Sequence, residues 1–144
     1  MNQLSPTSPP SASFSALMKA MESILERLRS VSDRQLKFVR NGDISLLNQL
    51  LGHKYKLIEE RDRISRRLEP HLSVPPEERR WNSETEKQET EAARTHCERL
   101  LAEILRIDQQ GLQMMTEQKS AVEDQLRRIH QGSRLHAAYS KQKR

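Results

Sequence analysis

The stretch FSALMKAMESILERLRSVSDRQLKFVRNGD, residues 14–43, decides the fold. Apolar side chains recur at alternating spacings of three and four: Phe14, Leu17, Met21, Ile24, Leu28 and Val31, then polar Gln35, then Phe38. This is a heptad seam, widened by Leu25 and Val39, and it predicts an amphipathic helix over about residues 14–40. Ser13 is a suitable N-cap. At the other end Asn41-Gly42 tolerates the left-handed backbone that stops helices, and Asp43 caps the next one.

That next helix, over 43–69, carries Ile44, Leu47, Leu50, Leu51, Leu57, Ile58, Ile64 and Leu68. Lys54 and Arg61 fall on the same seam, where long basic side chains can snorkel outwards. Pro70 is expected to end the helix, because proline removes a hydrogen bond and clashes with the preceding turn. A turn as short as Asn41-Gly42-Asp43 makes the two helices an antiparallel hairpin.

Upstream, residues 1–12 are rich in Ser and Pro and are expected to form a disordered tail. Downstream, residues 70–82 are a connector with Pro70, Pro75 and Pro76. Trp81, at its end, has two readings: a partner hot spot, or a cover for the end of its own bundle.

Ser83-Glu84-Thr85-Glu86 has capping-box spacing and starts a third helix that runs to about Tyr139. One seam along it reads Leu101, Leu105, Asp108, Leu112, Met115, Lys119, Val122, Leu126, Ile129. A second, Leu100, Ile104, Ile107, Gly111, Met114, accompanies it and then stops. Residues 100–115, with two seams, are expected to lie against the hairpin, and residues 118–139, with one, to overhang it. Gly111 leaves two forms open, a straight helix or one that breaks there and folds back. The expected fold is all-α: a single helical domain over 13–144, built as an antiparallel hairpin plus a long C-terminal helix, coiled-coil-like or an open bundle.

Composition agrees. Only 34% of residues are hydrophobic and 3% aromatic, too few for a thick core, while 31% are charged, as in slender helices that bury one stripe. No apolar run approaches the length of about 20 residues that a membrane span needs, and the start lacks the pattern of a secretory signal. The single cysteine, Cys97, has no intrachain disulfide partner, which suits a cytoplasmic location. Net charge is +5, and no acid follows Asp124, whereas Arg127, Arg128, Arg134, Lys141, Lys143 and Arg144 do.

No phosphate-binding loop, nucleophile elbow or zinc-protease motif is present, and no histidine has a glutamate three residues before it, as helical di-metal sites require. Adjacent His96 and Cys97 on a helix point about 100° apart and do not form a dyad. The expectation is a protein-binding protein, not an enzyme, with no metal and no cofactor.

The stretch from Glu22 to Arg61, with its heptad helix, Gly42-Asp43 turn and Leu46, Leu47, Leu50, Lys54, Leu57 and Ile58, resembles the first hairpin of FlgN-type flagellar export chaperones. The C-terminal part is also similar: Ile107-Asp108, then Leu126, Ile129, Gly132-Ser133 and Ala137-Ala138-Tyr139, like the ending of FlgN-like and FliT-like chaperones. The resemblance implies a cytoplasmic, ATP-independent chaperone that binds helical segments of flagellar hook-filament junction proteins. It would deliver them to the type III export gate. It further implies substrate binding through Met115, Val122, Leu126 and Ile129, and docking to the gate's cytoplasmic domain through Leu135 and Tyr139. Two other readings fit the residues alone: a self-associating coiled-coil scaffold, and a small basic nucleic-acid-binding protein.

Overall fold

The computed structural model describes residues 11–142, and side-chain surroundings within 13–138. The expected tail falls outside the described residues up to position 10. Three long helices follow: α1 (Ser11–Asn41), α2 (Ile44–Leu72) and α3 (Glu84–Gln142), with a 3-10 turn at Pro76–Glu78 between the last two. No strand occurs among the described residues, and the fold is all-α. Ser13 lies within the first turn of α1 instead of capping it, because the helix already starts at Ser11.

The turn between α1 and α2 forms as its residues dictate. Asp43 N–H donates to the Phe38 carbonyl at 3.0 Å and Gly42 N–H to that of Val39 at 3.1 Å, the pair of bonds that closes a Schellman motif. Gly42 takes the required positive φ of 69°. Asp43 Oδ1 accepts from Leu46 N–H at 3.5 Å and caps α2.

α2 corrects the expected stop at Pro70: the helix passes through it and ends at Leu72. The proline lies within the last turn, so the helix loses one bond near an end that frays anyway. Continuing the turn places His71, buried, against Phe14 with ring centroids 5.3 Å apart. Trp81 returns to the same end, half-buried, 5.8 Å from the Phe14 ring, and Arg79 sits 5.1 Å from that ring's centroid. Trp81 therefore covers its own bundle.

α1 is the shared neighbour of the other two helices. One of its faces packs on Leu50, Leu57 and Leu68 of α2, and the other on Ala93, Cys97, Leu100 and Ile104 of α3. Leu25, between them, is fully buried. The contacts from α1 to α3 advance together along both chains: Lys19 with Glu89, Glu22 with His96, Arg29 with Glu103, Leu36 with Gly111, and the Val39 carbonyl with Gln118. α3 thus runs parallel to α1 and antiparallel to α2.

α3 starts with the expected cap, Glu86 N–H donating to Ser83 Oγ at 3.0 Å, although the Glu86 carboxylate reaches Asn82 instead of closing the box. It is continuous through Gly111, which excludes the folded-back form. Gly111 is buried, facing Leu36, where the absence of a side chain suits the approach of α1. With 59 residues α3 is about 88 Å long. Among the described residues its last hydrogen bond to α1 is from Gln118, and roughly 35 Å of helix continues beyond.

Candidate functional site

Heptad arithmetic defines two seams on α3, and packing on α1 covers only one. Leu100, Ile104, Ile107 and Gly111 are buried, and Met114 is half-buried. The other seam is exposed at its large apolar positions, Leu101, Leu105, Leu112, Met115, Val122, Leu126 and Ile129, and meets the hairpin only through half-buried Asp108. This corrects the expectation that residues 100–115 spend both seams on the hairpin. α1 stands between α2 and α3, so α3 has one close backbone neighbour instead of two.

The four residues assigned to substrate binding, Met115, Val122, Leu126 and Ile129, share this exposed face. Leu126, in its middle, retains 51% of its surface. The substrate-binding assignment left out Leu101, Leu105 and Leu112 of the same seam, which extend this face by about four turns over the hairpin. Their common heptad phase with Leu126 was the available signal. Leu135 is exposed at 72% but lies about 120° around the helix from Ile129, so it belongs to a different face. Tyr139 is in α3, and its side chain lies outside the described residues.

Where α3 leaves the hairpin, a hollow of about 360 Å³ opens between the α1–α2 turn and the exposed seam. Phe38, Ile44 and Leu47 form one wall and Met115 and Val122 the other, with Lys119 and Glu123 at its edge. Ile44, assigned to the α2 seam, is exposed here at 69% because α3 stays at a distance from the start of α2.

Three polar interruptions, one from each helix, meet in a single layer. Lys54 Nζ donates to Gln35 Oε1 at 2.8 Å and to Asp108 Oδ1 at 2.9 Å. Lys54 does not snorkel outwards: its side chain is 11% exposed and points at α1 and α3. A charge buried to this degree is tolerated because it is paired and hydrogen-bonded, and such a layer fixes how the helices slide against each other. Arg61, the other basic residue on that seam, pairs with its neighbour Asp62 at 3.1 Å.

Three titratable groups elsewhere lie in the helix interfaces. Burial, with Glu22, Glu26 and Glu98 nearby, pushes the Cys97 thiol up to about 11, where it is a poor nucleophile. His96 turns from Cys97 to Glu22, with Nδ1 2.8 Å from Oε2. His71 is held below its ordinary pKa by burial and by Arg79. Among the described residues no group of three or more His, Cys, Asp or Glu side chains is arranged to hold a metal ion, and no helix is long and apolar enough to cross a membrane.

Comparison with known protein families, characterised proteins and solved structures found no match to this chain.

Proposed function

We propose that the chain holds helical segments of other proteins against the exposed seam of α3. In this reading it is a cytoplasmic, FlgN-type export chaperone for flagellar hook-filament junction proteins. The observation that carries the reading is the row from Leu101 to Ile129: large apolar side chains on one helix face, left in water by their own domain. Single exposed leucines are ordinary, but a contiguous stripe in heptad phase is what helix-to-helix recognition uses. Methionine at 115 suits a surface that must fit different partners. The position of Leu135 on another face supports separate engagement of substrate and export gate by the same helix.

Calorimetric titration with the terminal helices of a junction protein tests the reading. A 1:1 complex is expected, and Leu126→Asp is expected to abolish it while the helical circular dichroism of the hairpin persists. Unchanged affinity in that variant, or no heat from any terminal helix, defeats the assignment. Tyr139→Ala is expected to leave substrate binding intact and to stop export.

A further inference from the structure

At the end of the bundle away from the α3 overhang, side chains from two other segments meet on one ring of α1. Phe14, in the first turn of α1, is buried. The His71 ring, from the last turn of α2, stacks on it with centroids 5.3 Å apart and 24° between the planes. From the connector over residues 73–83, Trp81 lies 5.8 Å from the same ring and the Arg79 guanidinium 5.1 Å from it. The connector has little else to hold it. Among the described residues its backbone makes only local hydrogen bonds, such as Glu78 N–H to the Pro75 carbonyl at 2.9 Å and Val74 N–H to that of His71 at 3.3 Å, and none to α1. Arg79 Nε is buried there without a hydrogen-bond partner, which is a cost of the closed form.

His71 is 7% exposed and, unlike His96 with Glu22 at 2.8 Å, is paired with no carboxylate among the described residues. Burial first, and then Arg79, hold it below the ordinary value of 6.5. Glu77 of the connector and Glu91 of α3 act on Arg79 in one direction, and Arg94 of α3 acts in the other. Glu86, at the start of α3, is held by Asn82 at 3.0 Å. Between Ser11 and Met18 α1 has no charged residue, and Lys19 beyond them is met by Glu89 of α3 at 3.3 Å. α2 itself adds Arg67 and Glu69, both exposed.

We propose that these contacts form a proton-operated latch: protonated His71 faces Arg79 in an apolar site without a counter-ion, and the connector leaves the bundle end while the three helices stay packed. The neutral ring belongs to the closed form, so the latch is shut above 6.5. Opening takes up one proton, so below 6.5, down to the lower value that the closed site imposes, the ratio of closed to open falls by up to about tenfold per pH unit. Opening stays local because Leu25, Leu50, Leu57 and Leu100, which hold the helices together, lie outside the cap. The latch makes the exposure of Phe14 and Trp81 depend on pH, whatever occupies the exposed seam of α3.

Trp81 is the only tryptophan, so its fluorescence reports the latch in the full chain. From pH 8 to pH 5 its emission should shift to the red and its quenching by acrylamide should rise, with a midpoint below 6.5, while circular dichroism at 222 nm holds. His71→Phe, which keeps the stacking without a basic group, and His71→Gln, which keeps a neutral polar group, should both lose the transition. Arg79→Met, which removes the like charge, should raise its midpoint. Emission and quenching unchanged across the range, a transition that survives in either His71 variant, or a midpoint that Arg79→Met leaves in place overturns the inference. So does a loss of helical signal in step with the Trp81 change, which would mean that acid unfolds the whole chain.

Discussion

Replacing Gly111 with alanine should stabilise the protein, although the position is buried in a helix interface. A Cβ built there meets only Leu36 Cδ1, at 3.8 Å, an ordinary van der Waals contact that requires no neighbour to move. Alanine is better than glycine in a helix interior by about 1 kcal/mol, and the added methyl group gains part of the roughly 0.8 kcal/mol of a fully buried one. The expected gain is therefore about 1–1.5 kcal/mol, a rise of roughly 3–6 °C in Tm for a chain of this size. Urea unfolding followed by circular dichroism at 222 nm measures it, with the m-value checked for constancy. A loss of stability would refute the reasoning, because it would mean that α1 and α3 approach more closely than 3.8 Å or that α3 bends at residue 111. Substrate binding should be unchanged, since the exposed seam lies on another side of the helix.

The polar layer gives a second outcome. Lys54→Met and Gln35→Leu should not be additive in urea unfolding, because the first leaves Gln35 without its ammonium and the second leaves a buried ammonium with only Asp108; a coupling of about 1 kcal/mol is expected, and strict additivity would show that the layer is not a unit. For His71 the direction follows from its lowered folded-state pKa: stability is full above the unfolded value near 6.5 and is lost as pH falls through it towards the lower folded value. His71→Phe should remove that part of the slope in a urea midpoint against pH series, and an unaltered slope would assign it to other groups. The Cys97 thiol should resist alkylation at pH 8 in the native protein, since a pKa of about 11 alone reduces its thiolate about a hundredfold relative to a free thiol, and the rate should rise with urea as α1 and α3 separate. Fast native labelling would contradict the burial of that interface.

Most of the secondary structure was written locally. The heptad phase of Phe14 to Phe38, the Gly42 stop, the Asp43 cap and the Ser83 cap each act through neighbours within a turn or two, so the residues themselves specified three helices and a hairpin. They also specified that Met115, Val122, Leu126 and Ile129 lie on one face. The extent of α2 was less legible. Pro70 near a helix end has a small local cost, and the burial of His71 against Phe14, distant in sequence, decides that the helix continues. Gly111 is similar: a cost of about 1 kcal/mol is set against packing on Leu36 and a continuous helix.

Periodicity reveals that a face is apolar and is silent on which neighbour covers it. The sequence by itself determined that α3 has two apolar seams and that Gln35, Lys54 and Asp108 interrupt theirs. Only the tertiary structure decided that α1 takes the seam of Leu100, Ile104 and Ile107, leaves the apolar side chains from Leu101 to Ile129 in water, and brings Gln35 at 2.8 Å and Asp108 at 2.9 Å to the Lys54 ammonium. The physical reason is that a seam's partner is chosen by how whole helices fit beside one another, a sum over contacts far apart in the chain that no local spacing records.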